Sequence, residues 1–95
     1  MALVNPGKTM TLALNTSVTG PLVAWPGGPG MFTAEATWGG GTVTLQTQTQ
    51  KGSWVSVGTD TTLTANGAAG FILPPCNIRA SIATATVVYA YVTAM

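Results

Sequence analysis

Very few side chains in this sequence can do chemistry. The only carboxylate side chains are Glu35 and Asp60. Two carboxyl groups are the minimum for glycoside hydrolysis, and they work only when their surroundings tune one as acid and the other as base or nucleophile. Glu35 falls on the polar face of an alternating run, Met31 to Trp38, and Asp60 falls in a turn before Thr61. Both positions read as surface positions. There is no histidine, so no imidazole is present to serve as base or metal ligand. Cys76 follows Pro74-Pro75, with Arg79 close behind. A reactive thiolate needs such a positive neighbour, but a small half-buried residue at a loop is the stronger reading. One thiol and two distant carboxylates are too few for a metal site. Gly39-Gly40-Gly41 leads into a strand pattern with no Lys-Ser or Lys-Thr after it, so it is not a phosphate loop. Lys8, Lys51 and Arg79 are scattered, which leaves no electrostatic footprint for nucleic acid. No enzyme activity, cofactor or metal is expected.

Aromatic residues remain. Trp25, Trp38 and Trp54 suggest a sugar-stacking platform among Thr and Gln residues. Trp38 is in phase with Phe32 and is assigned to the core. Trp25 lies beside a Pro-Gly loop and is expected to anchor the loop or to meet a partner. Trp54 is the best candidate for exposure, and an exposed Trp marks a protein interface at least as often as a sugar site.

The elements that must position these residues are strands. Gly and Pro recur every few residues, with Thr, Val and Ala between them; Thr and Val are stiff at χ1 and suit strands. Alternating runs cover Thr9 to Ser17, Pro21 to Trp25, Met31 to Trp38, Thr42 to Gln50 and Ser53 to Val57. Shorter runs follow at Thr61 to Thr64 and Phe71 to Leu73, and a long one from Ile78 to Met95 bends near Thr84. In the first run Met10, Leu12 and Leu14 are expected on one face. Pro26-Gly27-Gly28-Pro29-Gly30, Lys51-Gly52 and Asn66-Gly67 punctuate the chain as turns. The reading is all-β: a single small antiparallel β-sandwich or jelly-roll-like domain of about seven or eight short strands. It spans residues 1–95, with 1–8 an extended N-terminal arm. Phe32, Trp38, Leu45, Val55, Phe71, Leu73, Ile82 and Val88 are expected to form the core.

Composition sharpens the picture. Charged residues make up 5% of the 95 residues and the net charge is +1, against about a quarter charged in ordinary soluble domains. The face of Thr42, Thr44, Gln46, Gln48 and Gln50 carries no charge. Near-zero net charge favours association, and small domains gain from it because their surface is large for their volume. The hydrophobic fraction of 46% is enough for a core and argues against disorder. No stretch reaches the roughly 18 apolar residues of a membrane helix. The N-terminal MALVNPGK has no basic region leading an apolar run and does not read as a signal peptide. A single cysteine allows no intramolecular disulfide.

Three stretches together carry a family resemblance: ATWGGGTVTLQ from Ala36 to Gln46, GSWVSVG from Gly52 to Gly58, and LTANGAAGFILPPCNIRASI from Leu63 to Ile82, ahead of a Tyr- and Ala-rich end. This pattern resembles small virion-associated proteins of tailed bacteriophages, over roughly Phe32 to Tyr91. Cys76 departs from it, standing where the pattern usually has glycine. The resemblance implies a capsid decoration (cement) protein on the exterior of the head, made in the host cytoplasm. Its expected partners are the major capsid protein and further copies of itself in a homotrimer, with no nucleic acid and no membrane. Expected interface residues are Leu3, Val4, Pro6, Trp25, Pro26, Trp54, Tyr89 and Tyr91, drawn from the N-terminal arm, the Pro-Gly loop, the Trp54 hairpin and the C-terminal run. The alternative is a head fibre, spike or tail-associated adhesion module that binds host surface glycans through Trp54 and nearby Thr and Gln residues. A third reading is a tail-tube or connector component.

Overall fold

Alternation in Thr42–Gln48 shows how this chain makes strands. Val43 and Leu45 are fully buried, while Thr42, Thr44, Gln46 and Gln48 are half-buried on the other side. That is the period-two pattern of a strand with one face on a core. The computed structural model describes residues 9–94. They form β1 (Thr9–Thr16), β2 (Val23–Trp25), β3 (Gly28–Thr37), β4 (Thr42–Gln48), β5 (Trp54–Ser56), β6 (Thr62–Leu63), β7 (Gly67–Leu73), β8 (Cys76–Ala83) and β9 (Thr86–Ala94). The architecture is all-β, as the sequence indicates. The ninth strand arises because the long C-terminal run is two strands. They are separated at the expected bend, where Thr84 has φ 70° and Val87 has φ 53°. Positive φ is unusual for β-branched residues, and here it turns the chain from one sheet into the other.

One sheet has the order β1-β9-β3-β7; the other has β2-β8-β4-β5, with β6 on the same edge of β4 as β5. Every pairing is antiparallel. The pairs β1 with β9, β2 with β8, β3 with β7 and β4 with β5 nest inside one another. Rolling that long ribbon joins β3 to β9 and β4 to β8. This is the jelly-roll order, two Greek keys closed into a sandwich. The described residues measure 43 × 30 × 21 Å.

The core lies between the sheets. Phe32, Ala34, Val88, Ala90, Val92 and Ala94 come from the first sheet; Trp25, Val43, Leu45, Ile78 and Ala80 come from the second. Across β3 and β9, Ala34 lies opposite Ala90 and Phe32 opposite Val92, so small residues pair with small and large with large. Each fully buried Phe, Leu or Val contributes about 1.5–3 kcal/mol.

Two packing expectations are corrected. Leu14 does not share a face with Leu12: register shifts flank Leu12 and Asn15, so Leu12 and Ala13 are both buried and Leu14 is 64% exposed. A bulge adds a residue to one strand and breaks its alternation. Val55 is not core. It sits opposite Thr47 at the sheet edge and is 45% exposed, while Val57, two residues on, packs on the core instead. Of the other expected core residues, Phe32, Leu45, Phe71 and Val88 are buried, and Trp38, Leu73 and Ile82 pack against them half-buried.

Candidate functional site

Sandwich folding leaves two broad outer faces, and they differ chemically. On the β2-β8-β4-β5 sheet, the outward positions are Asn77, Arg79 and Ser81 of β8, Thr42, Thr44, Gln46 and Gln48 of β4, and Trp54 and Ser56 of β5. These side chains bond to one another. Asn77 Nδ2 donates to Gln48 Oε1 at 3.0 Å, and Gln48 Nε2 donates to the Gly52 carbonyl at 3.2 Å. Arg79 Nε donates to Gln46 Oε1 at 2.8 Å, and its guanidinium carbon sits 4.4 Å from the Trp54 ring centroid. The guanidinium is therefore held between an amide and an indole face. Gly52, with φ 93°, closes the hairpin that brings Trp54 back beside Gln48; glycine adopts such a backbone without a Cβ clash.

The opposite face, on β1-β9-β3-β7, carries a groove of about 490 Å³ lined by Thr33, Glu35, Asn66, Tyr89 and Tyr91, with Ala34 and Gly67 in its wall. Glu35 stands across from Tyr89, and Thr33 across from Tyr91. Asn66 is fixed from behind. Its Oδ1 accepts from Trp38 Nε1 at 2.8 Å and from the Ala36 backbone N–H at 3.1 Å. Both partners are donors, so the oxygen must point to them and the amide NH₂ points elsewhere.

The interface residues expected from sequence meet different fates. Leu3, Val4 and Pro6 lie outside the described residues. Pro26 is exposed. Tyr89 and Tyr91 are half-buried on the outward side of β9, and both line the groove. Trp54 is half-buried, with one ring face under Arg79. Of the two expectations for Trp25, the structure fits the loop anchor rather than the partner contact: it is 1% exposed and packs on Phe71 with ring centroids 5.0 Å apart. Its Nε1 reaches the Gly28 carbonyl at 3.3 Å. Gly30 makes room for this pair, since a Cβ there would fall 2.7 Å from both rings.

The carboxylates are not brought together. Glu35 lines the tyrosine groove, and Asp60 lines another beside Phe71 and Ile72. Cys76 and Arg79 point to opposite sides of β8, because Cys76 is in phase with buried Ile78 while Arg79 is outward. Cys76 opens β8, and it is not among the positive-φ residues, so the strand accepts it where the resembled pattern has glycine. Among the described residues, no three His, Cys, Asp or Glu side chains group as a metal site. Sequence reasoning read Asn66 only as a turn residue. Its role depends on Trp38, which is 28 positions away, and nothing local signals that. Comparison with protein-family models, curated proteins and solved structures found no match.

Proposed function

We propose that the chain is a capsid decoration protein of a tailed bacteriophage, which lays the outer face of its β2-β8-β4-β5 sheet on the head and bridges neighbouring major capsid protein subunits. The observation that carries this reading is the bonded, nearly chargeless face around Gln46, Gln48, Asn77 and the Arg79–Trp54 stack. Such side chains are already ordered, so docking them costs little further rotamer entropy. With its one cation held in place, the face can repeat many times on a shell without accumulating mobile like charge. An interface of about 800 Å² per partner takes a modest part of the 5088 Å² accessible surface and leaves the groove face free. Jelly rolls recur in viral capsid and lectin domains; fold supports the reading without deciding it. A homotrimer over each capsomer junction follows the same logic, since weak contacts repeated by symmetry add through avidity.

The test is the heat stability of heads with and without the protein. Heads lacking it are expected to release DNA at lower temperature, and adding the purified chain back is expected to restore them. Equal stability of the two preparations would refute cementing.

A further inference from the structure

The groove on the β1-β9-β3-β7 sheet differs from the docking face in what its polar groups still offer. Glu35 is exposed and can only accept hydrogen bonds when ionised. The described cations lie elsewhere: Lys51 is in the turn between β4 and β5, off either sheet face, and Arg79 is on the opposite face, bound to Gln46 and Trp54. Asn66 has its Oδ1 committed to Trp38 and Ala36, so its NH₂ can only donate. Thr33, Tyr89 and Tyr91 bring hydroxyls that do both. The two tyrosines lie two residues apart on β9, so both side chains rise from the same side of the strand. Gly67 and Ala68, opposite Ala34 and Thr33 on β7, add no bulk, which leaves the groove open toward that edge. It is an open groove of about 490 Å³.

From these groups we infer that the groove binds a neutral hexopyranose unit of a glycan. A sugar's vicinal hydroxyls each donate and accept, which matches an acceptor carboxylate and a donor amide set around shared hydroxyls. Its C–H face suits the tyrosine rings, a weak contact of the C–H donor kind. An anionic ligand meets Glu35 with the wrong sign. An organic cation satisfies Glu35 and the rings but leaves the Asn66 amide, a donor, facing positive charge. This inference goes beyond the decoration role. It concerns the face opposite the proposed docking face, and it holds or fails on the isolated chain without any capsid.

The test is saturation-transfer NMR on the purified full chain with methyl glycosides of glucose, galactose, mannose and N-acetylglucosamine, and with tetramethylammonium as the cationic probe. Saturation is expected to reach the ring protons of at least one pyranoside. Glu35→Gln and Tyr91→Ala are each expected to weaken that binding about tenfold, the effect of losing one good contact. Circular dichroism checks that each variant is folded, and Glu35→Gln decides alone if Tyr91→Ala is not. No transfer to any pyranoside overturns the inference. So does pyranoside binding that the folded variants leave unchanged, and so does binding of tetramethylammonium alone.

Discussion

Arg79 and Trp54 come from different strands of one sheet, and the guanidinium carbon of the first sits 4.4 Å from the ring centroid of the second. Gln46 completes the arrangement from β4, accepting from Arg79 Nε at 2.8 Å. The pairing register explains the contact. Gln46 lies opposite Arg79 on one side and Ser56 on the other, while Trp54 lies opposite Gln48, so the long Arg side chain crosses β4 on the diagonal. Diagonal neighbours in a sheet are within reach of long and aromatic side chains. The consequence is a face whose one cation is stacked and bonded.

A double-mutant cycle measures this stack. Arg79→Ala and Trp54→Ala are each expected to lower unfolding free energy by about 1 kcal/mol, with a coupling of about 0.5–1 kcal/mol between them. Arg79→Lys is expected to lose most of the coupling, because an ammonium lacks the planar fork that stacks and bonds together. Urea unfolding of the four proteins checks it; zero coupling would mean the stack is incidental.

Gly30→Ala probes the close approach at Trp25 and Phe71. The new methyl meets both rings at 2.7 Å, and both are buried, so neither ring has free space. Overpacking of this kind is expected to cost about 1–3 kcal/mol. Thermal melting checks the loss, and a changed near-ultraviolet circular dichroism signal from Trp25 is expected to accompany it.

Asn66 separates acceptor from donor. Asn66→Ala leaves Trp38 Nε1 and the Ala36 N–H without their partner, and is expected to cost about 1–2 kcal/mol. Asn66→Asp keeps an oxygen for both donors, so at neutral pH it is expected to retain most of the stability. Chemical unfolding of the two variants checks the order. Equal losses would show that the oxygen is not what matters.

Attachment to heads is expected to change little as salt rises, because screening acts on charges and this face has only one, already engaged. Thr44→Glu, which puts a carboxylate among Gln46, Ser81 and Thr62, is expected to reduce attachment. Co-sedimentation with heads at low and high salt checks both. Release at high salt would place the contact on charged residues elsewhere.

Much of the fold was legible because alternation is a local property. Val43 and Leu45 against Thr44 and Gln46, or Val88, Ala90 and Val92 against Tyr89 and Tyr91, are visible residue by residue. So was the bend near Thr84 in the long C-terminal run. Leu14 was misread because a bulge changes phase without changing composition. Trp25 was left between loop anchor and partner contact because its neighbours Pro26 and Gly27 signal a loop, while its burial depends on Phe71, far along the chain. The groove depends on the same kind of long-range placement: Asn66 is set against Tyr89 and Glu35 only once β3, β7 and β9 have paired.

The most direct measurement is the copy number of this chain per purified virion, by quantitative mass spectrometry against the major capsid protein. A decoration protein repeated over the shell by symmetry is expected at roughly one copy per capsid subunit. A few copies per particle would contradict the account and move the protein to a vertex, fibre or tail.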